Sequence, residues 1–135
     1  VVLINLAGAL LIFMTFPVAS PFAIPGVDLV DSIQEFGPKF YGSEDMATFY
    51  NISAAMPSLH FSWTVILGVL FWRSFPGKYR LVGLLYPFLT FFAITLTGNH
   101  FILDAVAGGV LAGFSFGVVL LLRATVWRQP PKLIA

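Results

Sequence analysis

Four long apolar runs alternate with polar or proline- and glycine-rich breaks, and this alternation sets the expected architecture. Residues 1–18 are apolar except for Asn5 and Thr15, and stop at Phe16-Pro17. A bilayer core takes about 20 helical residues, so this run fits a first span. Asn5 fits there as a packing hydrogen bond between helices. Residues 61–75 form the expected second span, with Trp63 and Trp72 suited to its two interfaces. Residues 81–96 form the third, kinked at Pro87. Residues 101–122 form the fourth and longest. Residues 20–57 break the apolar pattern and read as a loop punctuated by Pro21, Pro25, Gly26, Gly37, Pro38 and Gly42. Within it, Val27, Val30, Ile33 and Phe36 share one helical face opposite Asp28, Asp31 and Glu35, which predicts a short interfacial helix over 27–36. A second short helix is expected over 46–55.

Composition makes the medium explicit. The chain is 59% hydrophobic and 10% charged over 135 residues, against about 25% charged in a soluble domain. Its mean hydropathy is +0.93. The expected fold is therefore all-α: a single polytopic transmembrane bundle over residues 1–135 with about four spans. The chain opens in an apolar run with no initiator Met and no basic n-region, so no signal peptide is read. The expectation is a six-helix fold truncated at its N-terminus. Cysteine is absent, which excludes disulfides and thiolate metal sites.

Charge then orients the bundle. Arg73, Lys78 and Arg80 surround the break after the second run, and Arg123, Arg128 and Lys132 follow the fourth. The 20–57 loop holds Asp28, Asp31, Glu35, Glu44 and Asp45 against Lys39 alone. A solvated loop accounts for these acids; a calcium site is the alternative. The positive-inside rule puts the basic segments in the cytoplasm and the acidic loop and the Gly98-Asn99 turn outside. His60 and His100 then both fall at the outer ends of their helices.

Two stretches carry chemistry: Ala55-Met56-Pro57-Ser58-Leu59-His60 and Gly98-Asn99-His100 followed by Asp104. His100 and Asp104, four residues apart, share a helix face. A carboxylate on one ring nitrogen fixes the tautomer and leaves the other nitrogen nucleophilic. A structural His–Asp bond that only pins two helices is the competing account. His60 stands at a helix start, where unpaired N–H groups and the helix dipole attract anions. Ser58 adds a hydroxyl and Leu59 a backbone N–H there, and Gly98 and Asn99 offer the same at the fourth run. Together the two stretches make a site for a tetrahedral anion. Ala105, Gly109, Gly113 and Gly117 recur every fourth residue as a stripe for close helix packing, and Gly108 and Ala112 continue the His100–Asp104 face.

The paired stretches resemble the type 2 phosphatidic acid phosphatase (PAP2) superfamily. Pro57-Ser58-Leu59-His60 is similar to its Pro-Ser-Gly-His motif, and His100 with Asp104 is similar to its final motif. Leu59 in place of glycine, and Gly98-Asn99 before the last histidine, look most like the branch related to inositol phosphorylceramide synthases. The resemblance implies a lipid phosphatase or phosphotransferase acting through a phosphohistidine. It implies His100 as nucleophile, Asp104 as its orienting carboxylate and His60 as acid and then base. Ser58, Leu59, Asn99, Gly98 and Lys39 are the expected phosphate-binding residues. It implies no metal and no cofactor. The implied partners are a lipid phosphate substrate and membrane lipids, with no nucleic acid. The expected location is the cell membrane, multi-pass, with the site on the extracytoplasmic face. The superfamily also places an arginine six residues before its last histidine, where this chain has Ile94. A non-catalytic bundle binding anionic lipid at the same site is the alternative function.

Overall fold

The apolar runs become helices that stop where proline or glycine interrupts the hydrogen-bond ladder. The computed structural model describes residues 1–37 and 54–126. Helix α1 spans Val2–Thr15 and closes at Phe16, whose N–H donates to the Ile12 carbonyl just before Pro17. Helix α2 spans Ser32–Phe36. Helix α3 spans Leu59–Ser74, capped by Ser58 and ended by Phe75 ahead of Pro76. A 3-10 turn, Gly77–Leu81, starts at Gly77 in the left-handed region (φ 58°) and runs into α4, Val82–Leu96, with Pro87 inside it. Helix α5 spans Ile102–Val126. Among the described residues the fold is all-α.

The four expected spans correspond to α1, α3, α4 and α5, but they differ in reach. The continuous stretches Gly77–Leu96 and Ile102–Thr125 are long and apolar enough to cross a membrane. Helix α1 is shorter, cut by Phe16-Pro17. Helix α3 has 16 residues between Pro57 and Pro76, about 24 Å against a hydrocarbon core of about 30 Å. The helix expected over 27–36 is confined to Ser32–Phe36. Pro25 and Gly26 (φ 84°) turn the chain, and Val27 and Leu29 bond to Ile24 and Val27 in tight turns instead. Its expected apolar face is largely uncovered, with Val30 and Phe36 exposed. Of the second expected short helix, residues 46–53 lie outside the described residues. Ala54 pairs with Val18 in an isolated bridge.

Small side chains fill the interior. Ala9, Ala55, Ala105, Ala112 and Ser115 are buried, while Leu84, Leu85, Phe88 and Leu89 face outward. Such small residues let helix backbones approach closely. Helices α3 and α4 form an antiparallel hairpin whose backbones meet at Gly68 and Gly83; a Cβ on either would strike the other's carbonyl oxygen. Helix α5 packs on α3 through Gly108, where a Cβ would strike the Ser58 carbonyl, and through Gly109 against Phe61. Helix α1 packs on α5 at Gly8 and Leu111. As the sequence suggests, Asn5 is a packing residue: its Nδ2 donates to Ser62 Oγ at 2.6 Å, linking α1 to α3. The four-residue stripe on α5 is only partly used. Gly113 and Gly117 meet no neighbour among the described residues.

Candidate active site

Two caps bring the histidines to the same end of the bundle. Ser58 precedes α3 and its hydroxyl accepts the Phe61 N–H at 3.3 Å, so His60 falls in the first turn. At the other stretch, Gly98 adopts φ 70° and ends α4 in the left-handed conformation that glycine tolerates. The Gly98 N–H donates to the Thr95 carbonyl at 3.2 Å, and the His100 N–H donates to the Ile94 carbonyl at 3.0 Å. His100 is thus held against the C-terminus of α4 just before α5 begins. The two helix starts are then joined directly: the Ser58 N–H donates to the Asp104 carbonyl at 2.9 Å. Gly108 allows this approach, since any side chain there would meet Ser58.

The imidazoles of His60 and His100 stand with ring centroids 5.7 Å apart and planes inclined by 58°. They differ in environment. His60 is exposed, whereas His100 is 8% exposed. Asp104, 1% exposed, puts Oδ2 3.4 Å from His100 Nδ1. That separation is long for a hydrogen bond. The same Oδ2 accepts the Phe101 N–H at 2.8 Å, so the backbone fixes the carboxylate and the imidazole feels it mainly as charge. Burial pushes the His100 pKa below the ordinary histidine value; Asp104 opposes that shift and His60 adds to it. Near neutral pH this favours the uncharged ring.

The other expected site residues take distinct places. Ser58 is fully buried beneath His60, its hydroxyl using an acceptor lone pair as helix cap. Leu59 is half-buried at the first position of α3. Gly98 forms the turn and lies under Leu29. Asn99 Nδ2 donates to Ser32 Oγ at 3.1 Å and to Thr97 Oγ1 at 2.9 Å, tying α2 to the α4–α5 turn. Lys39 lies outside the described residues. Among the described residues, the cations lie at the far end: Arg73 and Arg123 in the last turns of α3 and α5, and Lys78 and Arg80 in the 3-10 turn between α3 and α4. The histidine end has no arginine or lysine among those residues. Ile94, standing where the resemblance places an arginine, is buried and serves through its carbonyl.

Sequence reasoning missed two contributors. The Phe101 N–H that holds Asp104 was legible as a capping pattern, an acid three residues after the residue preceding a helix. The Ala55 backbone beside the His100 ring favours the protonated form, and had no sequence signal.

The PAP2 superfamily model matches residues 1–118, a stretch that includes both histidine motifs. The chain belongs to the PAP2 superfamily. No curated protein and no solved structure matches it. Membership in the PAP2 superfamily points to a phosphatase-type function on lipid phosphates.

Proposed function

We propose that this PAP2 protein transfers the phosphoryl group of a membrane lipid phosphate or phospholipid head group through a phosphohistidine, in the manner of the inositol phosphorylceramide synthase-like branch. The supporting observation is the pairing of an exposed imidazole, His60, with a buried one, His100, at 5.7 Å beside Asp104. In this reading the free nitrogen of neutral His100 attacks phosphorus. As the N–P bond forms, the P–O bond to the leaving alkoxide breaks, and protonated His60 gives that oxygen its proton. Asp104 stabilises the positive charge on the His100 ring. Neutral His60 then takes a proton from water or an alcohol, whose oxygen attacks phosphorus and releases His100. Water gives hydrolysis; an alcohol gives transfer. The N-termini of α3 and α5, with Ser58 and Leu59, would receive the phosphoryl oxygens, and Lys39 would add charge. In this reading the basic turns lie in the cytoplasm and the site on the extracytoplasmic face.

The test is trapping with a lipid labelled in its phosphate. Acid-labile, base-stable label on the protein is expected, absent in His100→Ala; a protein that turns over lipid without ever carrying label refutes the covalent route. One observation favours a second reading, an anionic-lipid binder: the histidine end has no arginine or lysine among the described residues. Phosphoryl transfer leans on such charge. A binder retains labelled lipid reversibly and releases it unchanged.

A further inference from the structure

The opposite end of the bundle is built differently, and the PAP2 chemistry uses none of it. Where α3 and α4 cross at Gly68 and Gly83, the absence of side chains leaves a crevice beside the contact. Its volume is about 380 Å³, within the roughly 300–1,000 Å³ of small-molecule pockets. Val69, Leu84 and Pro87 give it apolar walls, and Trp72 and Arg73 stand toward its basic end. The Arg80 guanidinium lies 4.5 Å from the centre of the Trp72 ring, which holds this cation close to the crevice. Lys78 lies 5.8 Å over the Tyr79 ring, which lines a separate apolar hollow with Phe71, Phe75 and Val82. All residues from 71 to 80 are exposed. The described acids Asp28, Asp31, Glu35 and Asp104 belong to the segments of the histidine end, so these cations have no acidic partner within their own turn.

We infer that this crevice is a second lipid site, taking an anionic phospholipid with an acyl chain between α3 and α4 and its phosphate on Arg73 and Arg80. The occupant follows from complementarity. An apolar slot ending in Arg73, Arg80 and the Trp72 ring matches a molecule with an apolar tail and an anionic head. A zwitterionic lipid fits the slot equally but gains less from the cations. The site serves the leaflet opposite the histidines and is independent of their chemistry.

The experiment uses the full chain carrying Trp63→Phe and Trp127→Phe, which leaves Trp72 as the sole tryptophan. It is reconstituted in phosphatidylcholine vesicles that contain a minor fraction of acyl-brominated phosphatidylglycerol or acyl-brominated phosphatidylcholine. Trp72 is expected to be quenched more by the brominated anionic lipid at equal mole fraction. Each of Arg73→Gln and Arg80→Gln should lower that preference about fivefold, with unchanged helical circular dichroism. Val69→Phe, which fills the slot, should reduce quenching by both lipids, and His100→Ala should change neither. Equal quenching by the two lipids overturns the proposal, as does a preference that survives loss of both charges or undiminished quenching in Val69→Phe. Protection of Trp72 from both lipids also overturns it.

Discussion

The Asp104 carboxylate meets two demands through one oxygen. Oδ2 accepts the Phe101 N–H at 2.8 Å and faces His100 Nδ1 at 3.4 Å. Asp104→Asn keeps an oxygen for the Phe101 N–H and removes the charge. Turnover should therefore fall on the order of 100-fold or more while circular dichroism stays unchanged; unaltered turnover would remove Asp104 from the chemistry. The pH profile separates charge from mere support. Burial lowers the His100 pKa and Asp104 raises it. The acid limb of kcat/KM for the parent should lie below the ordinary histidine value of about 6.5, and Asp104→Asn should move it further toward acid. Stability follows the same sign. The unfolded state binds the proton more readily, so the contribution of neutral His100 is present above about 6.5 and is lost as pH falls through the folded-state value. The two histidines and Asp104 could be picked out of the sequence because each is a rare polar group at the mouth of an apolar run. The division of labour between Phe101 and His100 could not, because it depends on distances of a few tenths of an ångström.

Helix contacts are decided by which small residue meets which backbone. Gly108→Ala places a methyl group on the Ser58 carbonyl, so α3 must part from α5. A loss of about 1–3 kcal/mol is expected, together with lower activity as His60 moves from His100. Gly113→Ala meets nothing and should cost nothing, or stabilise by up to about 1 kcal/mol through helix propensity. Thermal melts of the two variants in one detergent decide between a specific contact and a general intolerance of alanine. The same pair marks how far an element can be read from sequence. The spacing of Ala105, Gly109, Gly113 and Gly117 makes a stripe, yet the closest approach is at Gly108, one residue away. A glycine repeat says that some helix can come near, and only the partner's position says which face it uses. Helix α2 fell short for a local reason: Pro25 and Gly26 spend residues 24–29 in turns, leaving five for the helix.

At the scale of the whole molecule, apolar runs separated by proline and glycine were enough to set the helices and their order. Length was harder, since the prolines that bound α3 also keep it below a full bilayer thickness. The native chain has no cysteine, so sidedness is testable with single introduced thiols. Thr97→Cys and Tyr79→Cys both occupy exposed positions. Membrane-impermeant reagents should reach them from opposite sides of sealed vesicles, and labelling of both from one side would break the multi-pass reading. The bond from the Ser58 N–H to the Asp104 carbonyl has a practical corollary. It splices the two motifs with main-chain atoms, so alanine at Ser58 or Asp104 edits the side chains and leaves the donor and acceptor of the splice in place. Replacing the amide preceding Ser58 with an ester exchanges that N–H donor for an oxygen while keeping every side chain, and so measures how much of the rate depends on registration between the two halves.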